Sequence, residues 1–444
     1  MPLFSRLACA LLMCAWIMAA EGLRAHEVDQ FDIPLGQELV DQGEYWDNLL
    51  HGAVVRAVEK TNRSIDNMRQ VLPGLREIHL SRLRSPTALT KAVRDQLPGS
   101  MMAIEGLEWK LHHGSPKPED PHLAHAHFSS RINGTYGALP YWPDPRVFNR
   151  MSLLRCSTIK VHGHYIGTDK VSHFVGMGII YHTYYRYARL SGATREEAIG
   201  MALKMGRYGP ISENWLVGGI PTGIYSSADM AANYAGLKYY LNITEPITLC
   251  GQTQPPLVVF DGQHWRLQPH ATPEYFAQFV SRHWDEVLNP CLYEWTFRSS
   301  IRRRVQSHRE AILARYAGDD PARHTPEYFD AVLADCLTYY GEEYGHSGQL
   351  DKLITVSRTC FDQPTTDDPA LRAAGLAAAM RPMATEQPLQ TPPREQIAAH
   401  CERLPTTAVW QACHVERLPP CGPPTPPKAV APVYQALREA RSMR

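Results

Sequence analysis

Residues 168–190 read TDKVSHFVGMGIIYHTYYRYARL, residues 191–208 read SGATREEAIGMALKMGRY, and residues 226–240 read SSADMAANYAGLKYY. These three runs decide the fold, because each has helical punctuation. Thr168 can cap a first helix whose opening turn holds Asp169 and Lys170. Asp169 and His173 stand four apart and share one face. Phe174, Met177, Ile180 and Tyr181 add apolar surface, and Gly176 and Gly178 permit another backbone to come close. Ser191-Gly192 closes this helix. Thr194-Arg195-Glu196-Glu197 reads as a capping box and opens the second, which carries Ile199, Leu203 and Met205 towards Gly209-Pro210. Glu213 follows the proline break. A glycine-rich turn over 218–223 leads to a third helix capped by Ser226 or Ser227, on which Asp229 and Asn233 share a face beside Ala232 and Gly236.

Three carboxylates, an imidazole and an amide can therefore converge between these helices. Asp169, His173, Glu213 and Asp229 are the candidate catalytic residues and also the candidate ligands of a divalent metal ion; Asn233 is their neighbour. Oxygen donors with one nitrogen suit a divalent cation, and a histidine held by carboxylates suits acid–base work. A polar packing network is the competing expectation. In that case Asp169 serves the helix dipole and pairs with His173, Asp229 completes a capping box with Ser226, and Asn233 bonds a loop. His162 and His164 stand a few residues before Asp169 and can fold back towards it. A second histidine group, His122, His125 and His127 with His112 and His113 nearby, lies in a loop-like stretch. No His-Glu-x-x-His, Gly-x-Ser-x-Gly or Gly-x-Gly-x-x-Gly pattern is present, so the usual zinc-protease, serine-hydrolase and dinucleotide signals are missing.

The order Asp169-Lys170-x-x-His173-Phe174, then Glu213, then Ser227-x-Asp229-x-x-x-Asn233-x-x-Gly236 resembles the pattern of VanZ-like proteins and is similar to that of YfiM-type envelope lipoproteins. The resemblance covers residues 168–240 alone. It implies a three-helix fold and a polar site, and it supplies no reaction. It departs in two places. VanZ-like segments cross the membrane, whereas 181–189 here is too polar and charged for lipid. The glutamine that follows the glutamate in that family has no counterpart; Trp215, Leu216 and Val217 occupy its neighbourhood.

Outward from this segment, Met1–Arg6 and the apolar run Leu7–Ala20 read as a secretory signal peptide over residues 1–25, with cleavage near Ala25. The run is too short for an ordinary span, and no later stretch approaches the ~20 apolar residues that a spanning helix needs. The expectation is a soluble protein, periplasmic or secreted, acting on or beside a cell-envelope component. Lysine and arginine total 45, as do aspartate and glutamate, a balance that points away from a nucleic-acid partner. Removing Cys9 and Cys14 with the leader leaves eight cysteines, and an even number in an oxidising compartment predicts disulfides.

The remaining chain reads as mainly α, with one small β-hairpin and a proline-rich tail. Residues 26–150 form a helical region and the histidine-rich loop. Leu39, Leu49, Leu50, Val54, Val55 and Val58 recur near helical spacing; 80–97 is mixed, and 151–166 holds extended pieces. The core spans 151–363. Its hairpin, near 255–267, is Val258-Val259-Phe260 and Trp265-Arg266-Leu267 about Asp261-Gly262. Helices are expected over 272–287, 295–316, 326–340 and 350–360. Residues 364–444, rich in proline and holding Cys401, Cys413 and Cys421, read as partly disordered. Two functions remain open. One is a metal-dependent or acid–base hydrolase of the envelope; the other is a non-catalytic binding or structural protein whose polar cluster packs helices.

Overall fold

A computed structural model describes residues 39–97 except 40 and 69–72, 158–249 except 210–223, 251–338 except 294, and 352–361. The expected signal peptide over 1–25, the histidine-rich stretch, Glu213 and residues 364–444 lie outside the described residues. Within them the fold is mainly α: 64% of the residues are helical and every sheet has two strands. No described helix is long and apolar enough to cross a membrane.

Helix α1 (Gly43–Met68) buries Trp46, Leu50, Ala53, Val54, Ala57, Val58, Thr61 and Ile65. Their three- and four-residue spacing makes one continuous stripe, so the helix gains its stability by packing that face. The mixed stretch resolves into α2 (Pro73–Leu83) and α3 (Pro86–Arg94). Ser85 separates them because its hydroxyl accepts the Ala88 N–H and Pro86 takes the first helical position.

Strands β1 (Thr158–Val161) and β2 (His164–Gly167) pair antiparallel, Thr158 opposite Gly167. Their turn has positive φ at both central residues, His162 (49°) and Gly163 (82°), as a tight right-twisting hairpin requires. Asp41 holds it: Oδ1 accepts the His162 N–H at 2.9 Å and Oδ2 accepts the Gly163 N–H at 2.6 Å.

The decisive segment folds as the three expected helices with two changes, at the cap and in the middle of the first. Helix α4 (Thr168–Ser172) begins with Gly167 in the cap position, so Thr168 is its first residue and not its cap. It runs into a π-helical turn, His173–Met177, and then into α5 (Gly178–Leu190). The second helix, α6 (Arg195–Tyr208), has the predicted capping box: Thr194 Oγ1 accepts the Glu197 N–H while Glu197 Oε2 accepts the Thr194 N–H. The third, α7 (Ser227–Asn242), is buried along its whole length and capped by Ser226. Short pairs follow: β3 (Ile224–Tyr225) with β8 (Leu292–Tyr293), β4 (Ile247–Leu249) with β5 (Gln252–Gln254), and β6 (Val258–Phe260) with β7 (Trp265–Leu267). The last pair is the expected hairpin, its turn fastened by Asp261 Oδ1 accepting the Gln263 and His264 N–H groups.

Three expected helices differ. Residues 272–287 form two 3-10 turns, Pro273–Phe279 and Arg282–Trp284, separated by extended Val280 and Ser281. Phe276 and Phe279 are both buried, and a three-residue repeat brings them to one side. Residues 295–316 divide into α8 (Trp295–Ser307) and α9 (Arg309–Tyr316) at His308, whose ψ of 11° leaves the helical region. After α10 (Pro326–Cys336), the α-helix among the described residues 352–361 is α11 (Val356–Cys360), which Thr355 caps by accepting the Arg358 N–H; residues 350 and 351 of the expected helix lie outside the described residues.

Among the described residues two large apolar cores result, with a small third cluster of Leu333, Leu337 and Leu353. The first gathers α1, α3, α5, α6, α7 and the 3-10 turns; the second gathers α8–α11 with Leu39 and Tyr165. Trp284 belongs to the first core, Val287 and Leu288 to the second. The two residues where the chain crosses over, Asp285 and Glu286, are both buried. No disulfide joins described residues, contrary to expectation; Cys291, Cys336 and Cys360 are buried thiols within the second core. There they pack as small hydrophobes.

Candidate functional site

The π turn and the first residue of α5 meet α7 with almost no side chain between them. A methyl group built on Gly236 would lie 2.1 Å from the Phe174 carbonyl oxygen and 2.8 Å from Gly178 Cα. Glycine at both positions lets the backbones touch. The π turn lies at this crossing. Gly178 N–H reaches back five residues to the His173 carbonyl, and the Val175 carbonyl accepts a bond from the Tyr240 hydroxyl of α7 at 2.9 Å. Phe174 packs on Tyr239, Phe279 and Trp284 with ring centroids 5.3, 5.9 and 5.4 Å away. That aromatic group also fixes the start of the turn that carries Glu286.

Around this crossing four of the five predicted residues converge. His173 Nδ1 lies 2.9 Å from Asn233 Oδ1, and Nε2 lies 3.2 Å from Asp229 Oδ2. Asn233 Nδ2 donates to the Tyr181 hydroxyl oxygen at 3.3 Å, which orients the amide. Both imidazole nitrogens thus face oxygens, Asn233 Oδ1 at Nδ1 and Asp229 Oδ2 at Nε2. Asp229 does not act as a capping carboxylate. Its backbone N–H is the one held by Ser226 Oγ, and its carboxylate turns to His173 and Lys170.

Lys170 is the centre of the arrangement. Its ammonium pairs with Asp169 Oδ2, Asp229 Oδ1 and Glu286 Oε1, and none of the four side chains is more than 5% exposed. One oxygen from each carboxylate lies within 4.8 Å of the other two, the spacing of a metal-binding group. Asp169 Oδ1 and Glu286 Oε2 are buried without a hydrogen bond. Three carboxyl groups therefore face one ammonium and the His173 ring, so the acids outnumber the cation they share.

The proton equilibria follow from that imbalance. Burial raises the Asp169 carboxyl, with Asp229 adding to the effect against the pull of Lys170. Burial also raises Glu286 well above the carboxylate range, more than Lys170 can offset, and Asp169 and Asp229 push it further. At Asp229 burial acts in the same direction, but His173, Lys170 and bonds from Lys170 and Ser226 outweigh it, and its carboxyl is lowered. Glu286 is thus the place for the extra proton.

No protein family, curated protein or solved structure matches this chain. The site must be read from its own residues.

Glu213 lies outside the described residues. His162 and His164 do not join the cluster. His162 Nε2 bonds Asp47 Oδ1 at 3.0 Å across the β1–β2 turn. His164 is buried on β2, its pKa lowered to about 3 by burial and then by Arg282; a ring kept neutral in that position serves the core. Two members of the site were not anticipated, Lys170 and Glu286. Lys170 carried a signal, since it lies beside Asp169 one turn before His173. Glu286 carried none, because a helix over 272–287 gives no reason for it to turn inward.

Proposed function

We propose that this chain is an exported, soluble envelope protein and that the cluster is an acid–base centre acting hydrolytically on an envelope component. One observation carries the reading: His173 is clasped between an ionised carboxylate and a neutral amide, above a buried reserve of charge. Asp229 orients the ring through Nε2 and stabilises its charged form, as a carboxylate does in hydrolase triads. The working nitrogen is then Nδ1, whose present partner is the neutral Asn233 oxygen. A substrate oxygen that displaces the amide receives the Nδ1 proton; a neutral ring returns to accept one from water. His173 is 8% exposed, while Asp229, Lys170 and Glu286 are sealed beneath it. Two further points support a functional site. π turns inside α-helices occur often at such sites, and Asp169, Lys170, His173, Asp229 and Asn233, which carry part of the resemblance to VanZ-like proteins, meet here. Export rests on the signal-peptide pattern of residues 1–25.

A second reading, a non-catalytic protein whose cluster locks α4 to α7, is favoured by the complete burial of Lys170. Mature protein incubated with peptidoglycan and phospholipid fractions, with products read by mass spectrometry, tests the first. Hydrolysis lost in His173→Ala supports the acid–base centre. No turnover on either fraction, together with a large drop in melting temperature in His173→Ala, supports the packing lock.

A further inference from the structure

Three carboxylates directed at one point, with one oxygen of each within 4.8 Å of the other two, make the donor set of a hard divalent cation. Here that point is taken. The Lys170 ammonium pairs with all three acids and is wholly buried. It arrives from α4 one residue after Asp169, so the same helix turn supplies both a ligand and the charge that fills the site. We propose that Lys170 is the permanent cation of this centre, occupying the position a divalent metal ion would otherwise take. The centre then keeps its carboxylates together, and keeps Asp229 aimed at His173, without drawing on external metal. This holds whatever reaction the cluster performs.

The geometry separates this role from that of an ordinary ion pair. A pair needs one carboxylate; here three are gathered from α4, α7 and the turn between the two cores. Asp169 Oδ1 and Glu286 Oε2 are buried with neither a hydrogen bond nor an ion-pair contact among the described residues. A metal ion with several coordination positions would use such oxygens, whereas an ammonium with three N–H groups is filled by one oxygen from each acid.

The test is to empty the position. Lys170→Ala keeps every carboxylate and opens the space of the lysine side chain to an ion and its waters. Manganese(II) binding, followed by electron paramagnetic resonance on the purified protein, should show no site at the cluster in the wild type. It should show one equivalent in Lys170→Ala, lost again in Lys170→Ala/Glu286→Gln. If Lys170→Ala folds only when manganese is present during refolding, the ion is replacing the ammonium and the proposal stands. A folded Lys170→Ala that takes up no manganese overturns it, as does a variant that refolds neither with nor without the ion. A wild-type protein that binds one equivalent, lost in Glu286→Gln, also overturns it, because the ammonium would then be displaceable.

Discussion

Glu286 Oε1 lies against the Lys170 ammonium, and neither side chain is exposed to solvent. Such a pair is costly to break and much less costly to redesign, because removing one partner strands the other charge. The two residues should therefore respond very differently. Lys170→Met leaves three carboxylates facing each other and should cost ~3–5 kcal/mol. Glu286→Gln keeps a partner oxygen for the ammonium and removes the excess acid, so it should be nearly neutral or stabilising. Urea unfolding of the two variants checks this; equal losses would mean that Lys170 has no central role.

Asp229→Asn separates catalysis from packing. The amide keeps the shape and an oxygen for Lys170, but it removes the charge opposite His173 Nε2. The expected result is a fall in hydrolytic rate of ~100-fold or more with a melting temperature within a few degrees of wild type. A large drop in melting temperature would assign Asp229 to the helix lock instead.

The buried histidines set an acid limb. His164 and His182 both have pKa values lowered to about 3, burial being the main cause and Arg282 and Arg186 the next. The unfolded chain takes up these protons near pH ~6.5, and the folded protein does not until far lower. Stability present above that pH is thus lost as pH falls towards 3, by up to ~1.4 kcal/mol per pH unit for each ring. His182 lies against Tyr185 and Tyr240, so His182→Phe can keep the packing. Comparing urea midpoints at pH 7 and pH 4 should show a smaller loss in the variant than in the wild type.

Asp285 works in the opposite direction. Burial lifts its pKa to about 6, against hydrogen bonds from Tyr316 and the Val287 N–H. The folded protein holds this proton where the unfolded chain has released it. The associated stability is complete below pH ~4 and disappears as pH rises through about 6. Asp285→Asn should remove that decline, seen as a melting temperature that no longer falls between pH 4 and pH 6 relative to wild type.

Gly236→Ala probes the helix crossing. Its methyl would lie 2.1 Å from the Phe174 carbonyl oxygen, so the helices must separate, at a cost of ~1–3 kcal/mol or more. Asn233 and Asp229 move with α7, so the His173 contacts should loosen too. Unchanged melting with unchanged histidine NMR shifts would show that the crossing has slack.

The sequence made the three-helix segment legible because its signals are local. Thr194 and Glu197 cap, Gly192 stops, Ser226 starts, and the i, i+4 pairs place Asp169 with His173 and Asp229 with Asn233. The 258–267 hairpin was legible for the same reason, through Asp261-Gly262. What escaped depends on distant packing. Nothing near His308 breaks a helix by its own propensity, and residues 272–287 have an acceptable helical pattern. Glu286 becomes a site residue only because Phe174, Phe279 and Trp284 pack together and bring its turn against α4. The disulfide expectation rested on an even cysteine count and on compartment, and the core around Cys291, Cys336 and Cys360 was invisible to both.

The π turn at His173–Met177 has a consequence for register. A π turn holds one residue more than an α turn, so the helix after it is out of phase with the helix before it by roughly 100°. Deleting one residue from 174–177 would let an uninterrupted α-helix form. That helix would keep its length and nearly all its composition. Asp169, Lys170 and His173 could then no longer face α7 while Gly178 and Tyr181 kept their present contacts. One set would have to rotate out, so a single extra residue lets one helix present its polar face and its packing face to the same neighbour.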